Sequence, residues 1–471
     1  MNAKILMGVK SLLFFLAAAP LPLAAAPVTL TVDTARPAQT ILGFGASGAW
    51  WAQEIGAWPK AERREIMRLL FDKQTGLGLD IYRHNLGADT YADTTMSPGV
   101  INRRTESMLD TKTGRYDWTR DANARRVMRE AVDAGATEII LFVNSPPITM
   151  TKNGRGYGDK LPDGTYTSNL APARYADFAA YLGEITEHFL RVDKLPVTVL
   201  SPLNEPEWDW AKPKQEGCYN TPAETAAILK AAHDEVKRRA LPVRVEGPEA
   251  GNWESTLPYF EAINAIPELR AGMKDFAVHA YWIKPGQREK LGAWLDKNRP
   301  DARLHMTEWC EMKSDAASGM DSGLVLASTI IDDFTIGRVV TWQYWTALHP
   351  ANWHAGLLYY KNDTREYTIT KRYWVMGQFS RYLPKGSVVI ALKSSNKQAP
   401  AMAARLPDGR VAVICSNLSG GAKTLDIRFP KKENWRQQLR VITDDNNNNT
   451  VTAPADALPP HSVVTIIFQK T

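Results

Sequence analysis

From about residue 40 to residue 375, short runs rich in β-branched and aromatic residues alternate with longer stretches of helical periodicity. This alternation constrains the chain most, because a strand, a crossover helix and the next parallel strand make one βα unit. Eight runs qualify as strands: 41–45, 79–85, 138–144, 197–203, 243–248, 275–281, 303–307 and 339–344. Helical patterns fall between them, at 60–71, 119–134, 173–191, 221–239, 287–297 and 320–336. Thr221-Pro222 with Glu224 marks one helix start, with a capping hydroxyl, a proline in the first turn and an acid three residues after the cap. Eight such units predict an α/β fold closed as a (β/α)8 barrel.

After a last barrel helix at 371–383, the pattern changes to short alternating runs at 388–392, 401–406, 411–416, 424–429, 439–443 and 463–468. Turn clusters at 407–409, 419–421 and 444–449 separate them. The asparagine run 446–449 reads as a hairpin tip. A side β-sandwich is expected, and the early strand 28–33 should join it because it precedes the first barrel strand. The expected layout is an export signal at 1–26, a catalytic barrel at 40–383, and a sandwich from 27–39 plus 384–471.

The signal reading rests on Lys4 and Lys10 ahead of an apolar run at 12–19, followed by Ala24, Ala25 and Ala26. Pro20 and Pro22 break that run, which is shorter than the ~20 apolar residues a membrane span needs. Export to the periplasm or the exterior is expected, with no membrane association after cleavage. The net charge of +6 falls to +4 without Lys4 and Lys10, and the cations are scattered, so no nucleic-acid partner is expected. With 44% hydrophobic and 23% charged residues, the chain is neither disordered nor fibrous. Cys218, Cys310 and Cys415 show no metal-ligand spacing and read as small buried residues. Export leaves a Cys218–Cys310 bridge open. Neither a metal nor an organic cofactor is expected, and the chain is read as a monomer.

Catalytic residues of such barrels sit at the C-terminal ends of the strands. The fourth strand runs into Asn204-Glu205-Pro206-Glu207-Trp208 and the seventh into Thr307-Glu308-Trp309. Two glutamates converging from opposite sides of one barrel mouth are what glycoside hydrolysis needs: one protonates the leaving oxygen while the other attacks the anomeric carbon or activates a water. Glu246 and Glu249, after the fifth strand, are the nearest rivals, and Glu207 and Glu311 read as rim or supporting residues. Of the fifteen tryptophans, Trp50, Trp51, Trp208, Trp210, Trp282, Trp309, Trp342, Trp345 and Trp353 fall at or just after strand ends. That bias suits aromatic platforms for sugar faces, with two or three serving as core.

The segments "ILGFGASGAWWA", "YRHNLG", "NSPPITMT", "LNEPEW", "HAYW", "MTEW" and "YWVMGQFSRYLPKGS" span nearly the whole chain after residue 40. Their order resembles glycoside hydrolase family 30 of clan A. The resemblance implies a retaining mechanism on β-linked sugars, with Glu205 as acid/base and Glu308 as nucleophile. It also implies that Asn204 bonds the sugar 2-hydroxyl, that Arg83, Tyr281 and His279 orient Glu308, and that Trp50, Trp51, Asn144 and Trp345 form subsites. Gln215-Glu216-Gly217-Cys218, the tandem Trp50-Trp51 and "NSPP" look like the endo-β-1,6-galactanase branch, so the implied substrate is galactan or arabinogalactan side chains. "TEWCEM", and Ile148 in "NSPPITM", depart from that branch. One alternative is a β-1,4-xylanase or glucuronoxylanase, with Lys152 or Arg155 as the cation for a uronate. The other is an inactive carbohydrate-binding protein, which has no use for two adjacent carboxylates that repel each other.

Overall fold

The structure is a computed structural model that describes residues 26–91, 93–110, 112–315, 317–350 and 353–471. The export-signal segment lies outside the described residues, apart from Ala26. Eight parallel strands close a barrel: Gly43–Ser47, Ile81–Leu86, Glu138–Val143, Val197–Ser201, Arg244–Ala250, Asp275–His279, Arg303–Glu308 and Thr341–Tyr344. They are numbered here one to eight in chain order. Each strand pairs with its sequence neighbour, and the eighth pairs with the first through Thr341↔Gly43 and Trp342↔Phe44. Strands four and six end two residues earlier than their apolar patterns suggest, and strand five runs two residues further, through Glu249 to Ala250.

Helices cover the barrel from outside. Pro222–Arg238 starts with the expected capping box, Thr221 Oγ1 accepting from the Glu224 N–H while the Glu224 carboxylate accepts from the Thr221 N–H at 2.9 Å. Trp253–Ala265 is a helix that the periodicity does not announce, because Pro258 interrupts the sequence pattern and its apolar stripe is weak. Asn252 starts it, its side chain accepting from the N–H groups of Glu254 and Ser255 at 3.0 Å.

The two chain ends meet in a nine-stranded sheet. Val28–Thr40 pairs antiparallel with Val388–Ser394 and parallel with Lys423–Arg428. Val411–Asn417 is central and buried at every position. Its Val411, Val413 and Cys415 join a core shared with Val28, Leu30, Ile390 and Ile466, so the sheet curls over its own interior as a β-sandwich. Ala412 and Ile414 point the other way and merge with the barrel core. The seam also carries Gln378, on the helix Lys371–Ser380, which donates to Thr443 Oγ1 at 2.8 Å and accepts from Thr465 Oγ1 at 2.6 Å. The asparagine run closes the hairpin between Trp435–Thr443 and Thr450–Thr452.

Cys218, Cys310 and Cys415 are all buried free thiols, so the Cys218–Cys310 bridge does not form. Burial explains their chemistry: it pushes the Cys415 thiol up to about 12 and raises Cys218 as well. Among the described residues, no helix is long and apolar enough to cross a membrane.

Candidate active site

The C-terminal ends of the barrel strands surround a cavity of about 430 Å3. Its wall holds Trp50 past strand one, Asn144 past strand three, Asn204 and Glu205 past strand four, Tyr281 past strand six, Glu308 at the end of strand seven and Trp345 past strand eight.

Glu205 stands in a tight turn before Pro206. Its backbone is left-handed at φ 42, and its N–H donates to the Glu249 carbonyl at 2.8 Å. Its carbonyl accepts from the Trp210 indole at 2.8 Å. A glutamate keeps such a conformation only where its surroundings enforce it. Glu249 (φ 64), Trp210 (φ 42) and Trp282 (φ 49) share that backbone region around the same mouth. Burial, the largest influence, and the nearby Glu308 charge raise the Glu205 carboxyl to about 7, against the lowering hydrogen bond from His279 Nδ1 to Oε1 at 3.0 Å. No hydrogen bond reaches Glu205 Oε2 among the described residues, so that oxygen can present a proton to the cavity.

Glu308 is held at both oxygens. Arg83 Nη1 donates to Oε2 at 2.8 Å and the Tyr281 hydroxyl donates to Oε1 at 3.0 Å. One oxygen of Glu308, one of Glu205 and one nitrogen of His279 lie within 4.8 Å of one another. Arg83 also donates from Nη2 to Asn204 Oδ1 at 2.9 Å, which fixes the Asn204 amide on the cavity wall. Its guanidinium lies 3.7 Å over the Phe142 ring.

Arg83 and His279 are fully buried and stand behind the carboxylates, not on the cavity wall. Glu249 anchors this layer. It accepts from His279 Nε2 at 3.1 Å and from Ser201 Oγ at 2.7 Å, and its Oε2 lies 3.5 Å from Arg83 Nη2. Thr307 Oγ1 donates to it as well. Burial alone would raise Glu249, yet the Arg83 charge and the His279 and Thr307 hydrogen bonds hold it at about 2. Burial likewise opposes charge on His279, but the Glu308 charge and the bonds to Glu205 and Glu249 lift its pKa to about 10. A protonated imidazole donating from both nitrogens has no lone pair for a cation, so this donor set fits proton chemistry better than metal binding.

Six of the nine strand-end tryptophans line the cavity: Trp50, Trp208, Trp210, Trp282, Trp345 and Trp353. Trp50 meets Trp345 edge-on at 5.3 Å, and Trp208 meets Trp282 at 5.5 Å. Trp309 and Trp342 are core, and so is Trp51, whose indole donates to the Ser47 carbonyl at 2.8 Å and abuts Tyr82. Trp51 follows Trp50 directly but opens the helix Trp51–Ile55, which turns its ring inward. Asn144 donates to Asn85 Oδ1 at 3.1 Å and borders the cavity.

The segment 215–218 shapes one wall. Gln215 faces the cavity, Glu216 is buried on the hydroxyls of Thr90 and Thr105, and a Cβ on Gly217 would lie 2.2 Å from the Trp210 ring. Glycine there lets the Trp210 indole seat against the backbone. Glu246 is buried inside the barrel, away from the cavity wall. Glu207 accepts from the Gly251 N–H and Ser255, and Glu311 pairs with Lys313 and His354. Neither Lys152 nor Arg155 reaches the cavity, and Arg155 pairs with Asp159 at 3.2 Å. The cation on the wall is Arg103, seventeen positions beyond strand two, where no local pattern ties it to a strand end. Asp209, Met312 and His349 also line the cavity unannounced; Asp209 alone, next to Trp208, had a signal in its position.

Comparison with known proteins agrees with this architecture. The description "O-Glycosyl hydrolase family 30" matches residues 27–265, and "Glycosyl hydrolase family 30 beta sandwich domain" matches residues 386–466. An endo-β-1,6-galactanase of Hypocrea rufa is 26% identical over 466 residues, covering 90% of this chain and 92% of its own. A conserved exported protein from Bacteroides fragilis superposes with a TM-score of 0.83 at 22% identity, over 93% of this chain and all of its own. The catalytic domain of the family 30 xylanase C from Talaromyces cellulolyticus gives a TM-score of 0.72 at 18% identity, over 94% and 100%. With more than half its length matched to the family, a closed barrel and a paired sandwich, the chain belongs to glycoside hydrolase family 30 and is a retaining O-glycoside hydrolase that acts on carbohydrate chains.

Proposed function

We propose that Glu308 is the nucleophile and Glu205 the acid/base of a double displacement that cleaves β-1,6-linked galactan chains internally. The observation that carries the pair is that one oxygen of each carboxyl lies within 4.8 Å, in unlike surroundings. Retaining enzymes hold their carboxyls about 5–5.5 Å apart, whereas inverting ones leave about 6.5–9.5 Å for a water. Glu308, fixed by Arg83 and Tyr281, attacks the anomeric carbon, and Glu205 gives its proton to the departing oxygen. Once Glu308 is an ester its charge is gone, and with it one cause of the raised Glu205 pKa. Glu205 is then the better base for taking a proton from the incoming water. Asn204 is positioned for the sugar 2-hydroxyl, Trp50, Trp345 and Asn144 for subsites, and Arg83 and His279 for orienting the carboxylates.

The galactan assignment is supported by the Hypocrea rufa relative and by the segment 215–218, of which Gln215 joins Trp50 on the cavity wall. A panel of β-1,6-galactan, arabinogalactan, xylan, glucuronoxylan and β-1,6-glucan tests it, with early products followed by proton NMR. The expected result is galacto-oligosaccharide released as the β-anomer. Activity confined to xylans would move the protein to the xylanase reading. Export is proposed from the basic-then-apolar N-terminus, and sequencing the N-terminus of the secreted protein checks it.

A further inference from the structure

Arg103 is an arginine of the cleft wall that sits against an aromatic ring and an amide instead of a carboxylate. It ends the short turn Pro98–Arg103, its guanidinium lies 5.0 Å over the Trp50 ring, and Nη1 donates to Gln215 Oε1 at 3.2 Å. None of the ion pairs among the described residues uses it, and burial pulls its pKa down with no acid opposing the shift. Half-buried and bonded to no carboxylate among the described residues, the Arg103 guanidinium is free to pair with an anion brought by a ligand. Arg83, buried behind the cleft wall, has two carboxylate partners.

Arg103, Trp50 and His349 also divide the main cavity from a second one of about 170 Å3. The second cavity is lined further by Asn102, Thr346 and Tyr360, and there is no aspartate or glutamate among the described residues of its wall. At about 170 Å3 against about 430 Å3, it is less than half the main cavity, a size that suits a branch unit better than the backbone chain. Nδ1 of His349 lies 2.6 Å from the Pro350 carbonyl oxygen and donates to it, and burial lowers the ring's pKa, so Nε2 is left as a neutral acceptor for a hydroxyl. The main cavity, by contrast, carries Glu205, Glu308 and Asp209 and repels anions.

We propose that Arg103 and this second cavity form a subsite for one oxyanion-bearing branch on the substrate, the carboxylate of a uronosyl unit or a sulfate ester. The planar guanidinium fork matches such oxyanions with paired hydrogen bonds, and Trp50 below it gives the branch ring an apolar face. The proposal rests on the galactanase reading for the backbone that bears the branch.

The test compares kcat/KM for three galactan oligosaccharides: one neutral, one with a single uronosyl branch and one with a single sulfate. Wild type should favour at least one charged form by roughly 10- to 100-fold, the range of a hydrogen bond to a charged group. The form that gains identifies the source of the oxyanion. Arg103→Gln should bring the ratio close to one. Arg103→Lys should keep part of it, and added salt should erode it. A wild-type ratio near one for both charged forms, or a ratio unchanged in Arg103→Gln, overturns the subsite. Failure to cleave any galactan oligosaccharide sinks the galactanase reading alone, because calorimetry of methyl β-glucuronoside and of a sulfated methyl galactoside with the full-length chain decides the subsite independently. Equal affinity in wild type and Arg103→Gln for both ligands then overturns it.

Discussion

The barrel mouth and the sheet built from the chain ends solve opposite problems. At the mouth, charges are buried against one another: Arg83 is 0% exposed and Glu308 5% where they pair, and the Arg83–Glu249 contact is 0% exposed on both sides. In the sheet, ion pairs stay at the rim, as with Arg428 and Asp426 at 64% and 34%, while Val411–Asn417 buries largely apolar side chains on both faces. Buried ion pairs add little net stability, because desolvation offsets their attraction. Apolar burial contributes ~25 cal/mol per Å2. The difference teaches that the sheet stabilises a molecule whose mouth is arranged for chemistry.

The contrast is broken most severely by removing the sheet. A chain ending at Pro384 loses every C-terminal strand and leaves Val28–Thr40 unpaired. Each ~100 Å2 of apolar surface uncovered costs about 2.5 kcal/mol, against a typical total stability of about 5–15 kcal/mol. That chain should be insoluble or unfolded, by circular dichroism and sedimentation. A soluble, active product would show that the sandwich is an independent module.

Next in size comes Glu308→Gln. Turnover should fall by several orders of magnitude, measured on galactan, while the variant still folds, by circular dichroism, with a stability loss no larger than the about 3–5 kcal/mol of a broken buried pair. A large loss of stability with modest loss of turnover would put Glu308 among the structural residues.

Glu249→Gln sharpens the comparison between the mouth and the layer beneath it. It leaves Arg83 and His279 with one carboxylate fewer, and breaking a buried pair from one side costs about 3–5 kcal/mol. Thermal unfolding should show that loss, accompanied by lower kcat. Wild-type stability in this variant would mean that Glu249 does not anchor the layer.

The smallest expected effect is in pH dependence. As the proposed acid, Glu205 enters the first step protonated, so kcat/KM should fall as pH rises through about 7. Because its folded pKa is raised, the unfolded chain releases this proton first. Stability is therefore full below the ordinary carboxyl value of 4.5 and declines as pH rises to about 7. Glu205→Gln should remove that decline and be at least as stable as wild type at neutral pH, by thermal melts at pH 5 and 8.

The barrel was legible in sequence because eight short strand runs, buried at nearly every position, alternate with longer helical patterns. The carboxylates were legible because each lies at or within a few residues of a strand end. Glu249 was harder, since strand five continues through an irregular register past Pro248 and carries it behind the site. Trp51 shows the limit of adjacency: a helix start separates it from Trp50 in space. Arg103 lies on a long loop with no periodicity, and only folding brings it over the Trp50 ring.

The pairing of Glu205 with Glu308 is tested most directly by trapping the intermediate. Incubation with a 2-deoxy-2-fluoro-β-galactosyl fluoride slows both displacement steps, and intact-mass and peptide mass spectrometry then locate the adduct. The account predicts one glycosyl group per chain, on the peptide containing Glu308, formed far more slowly in Glu205→Ala unless the leaving group is very good. An adduct on a peptide lacking Glu308, or no adduct while the enzyme still releases the α-anomer first from its natural substrate, would contradict it.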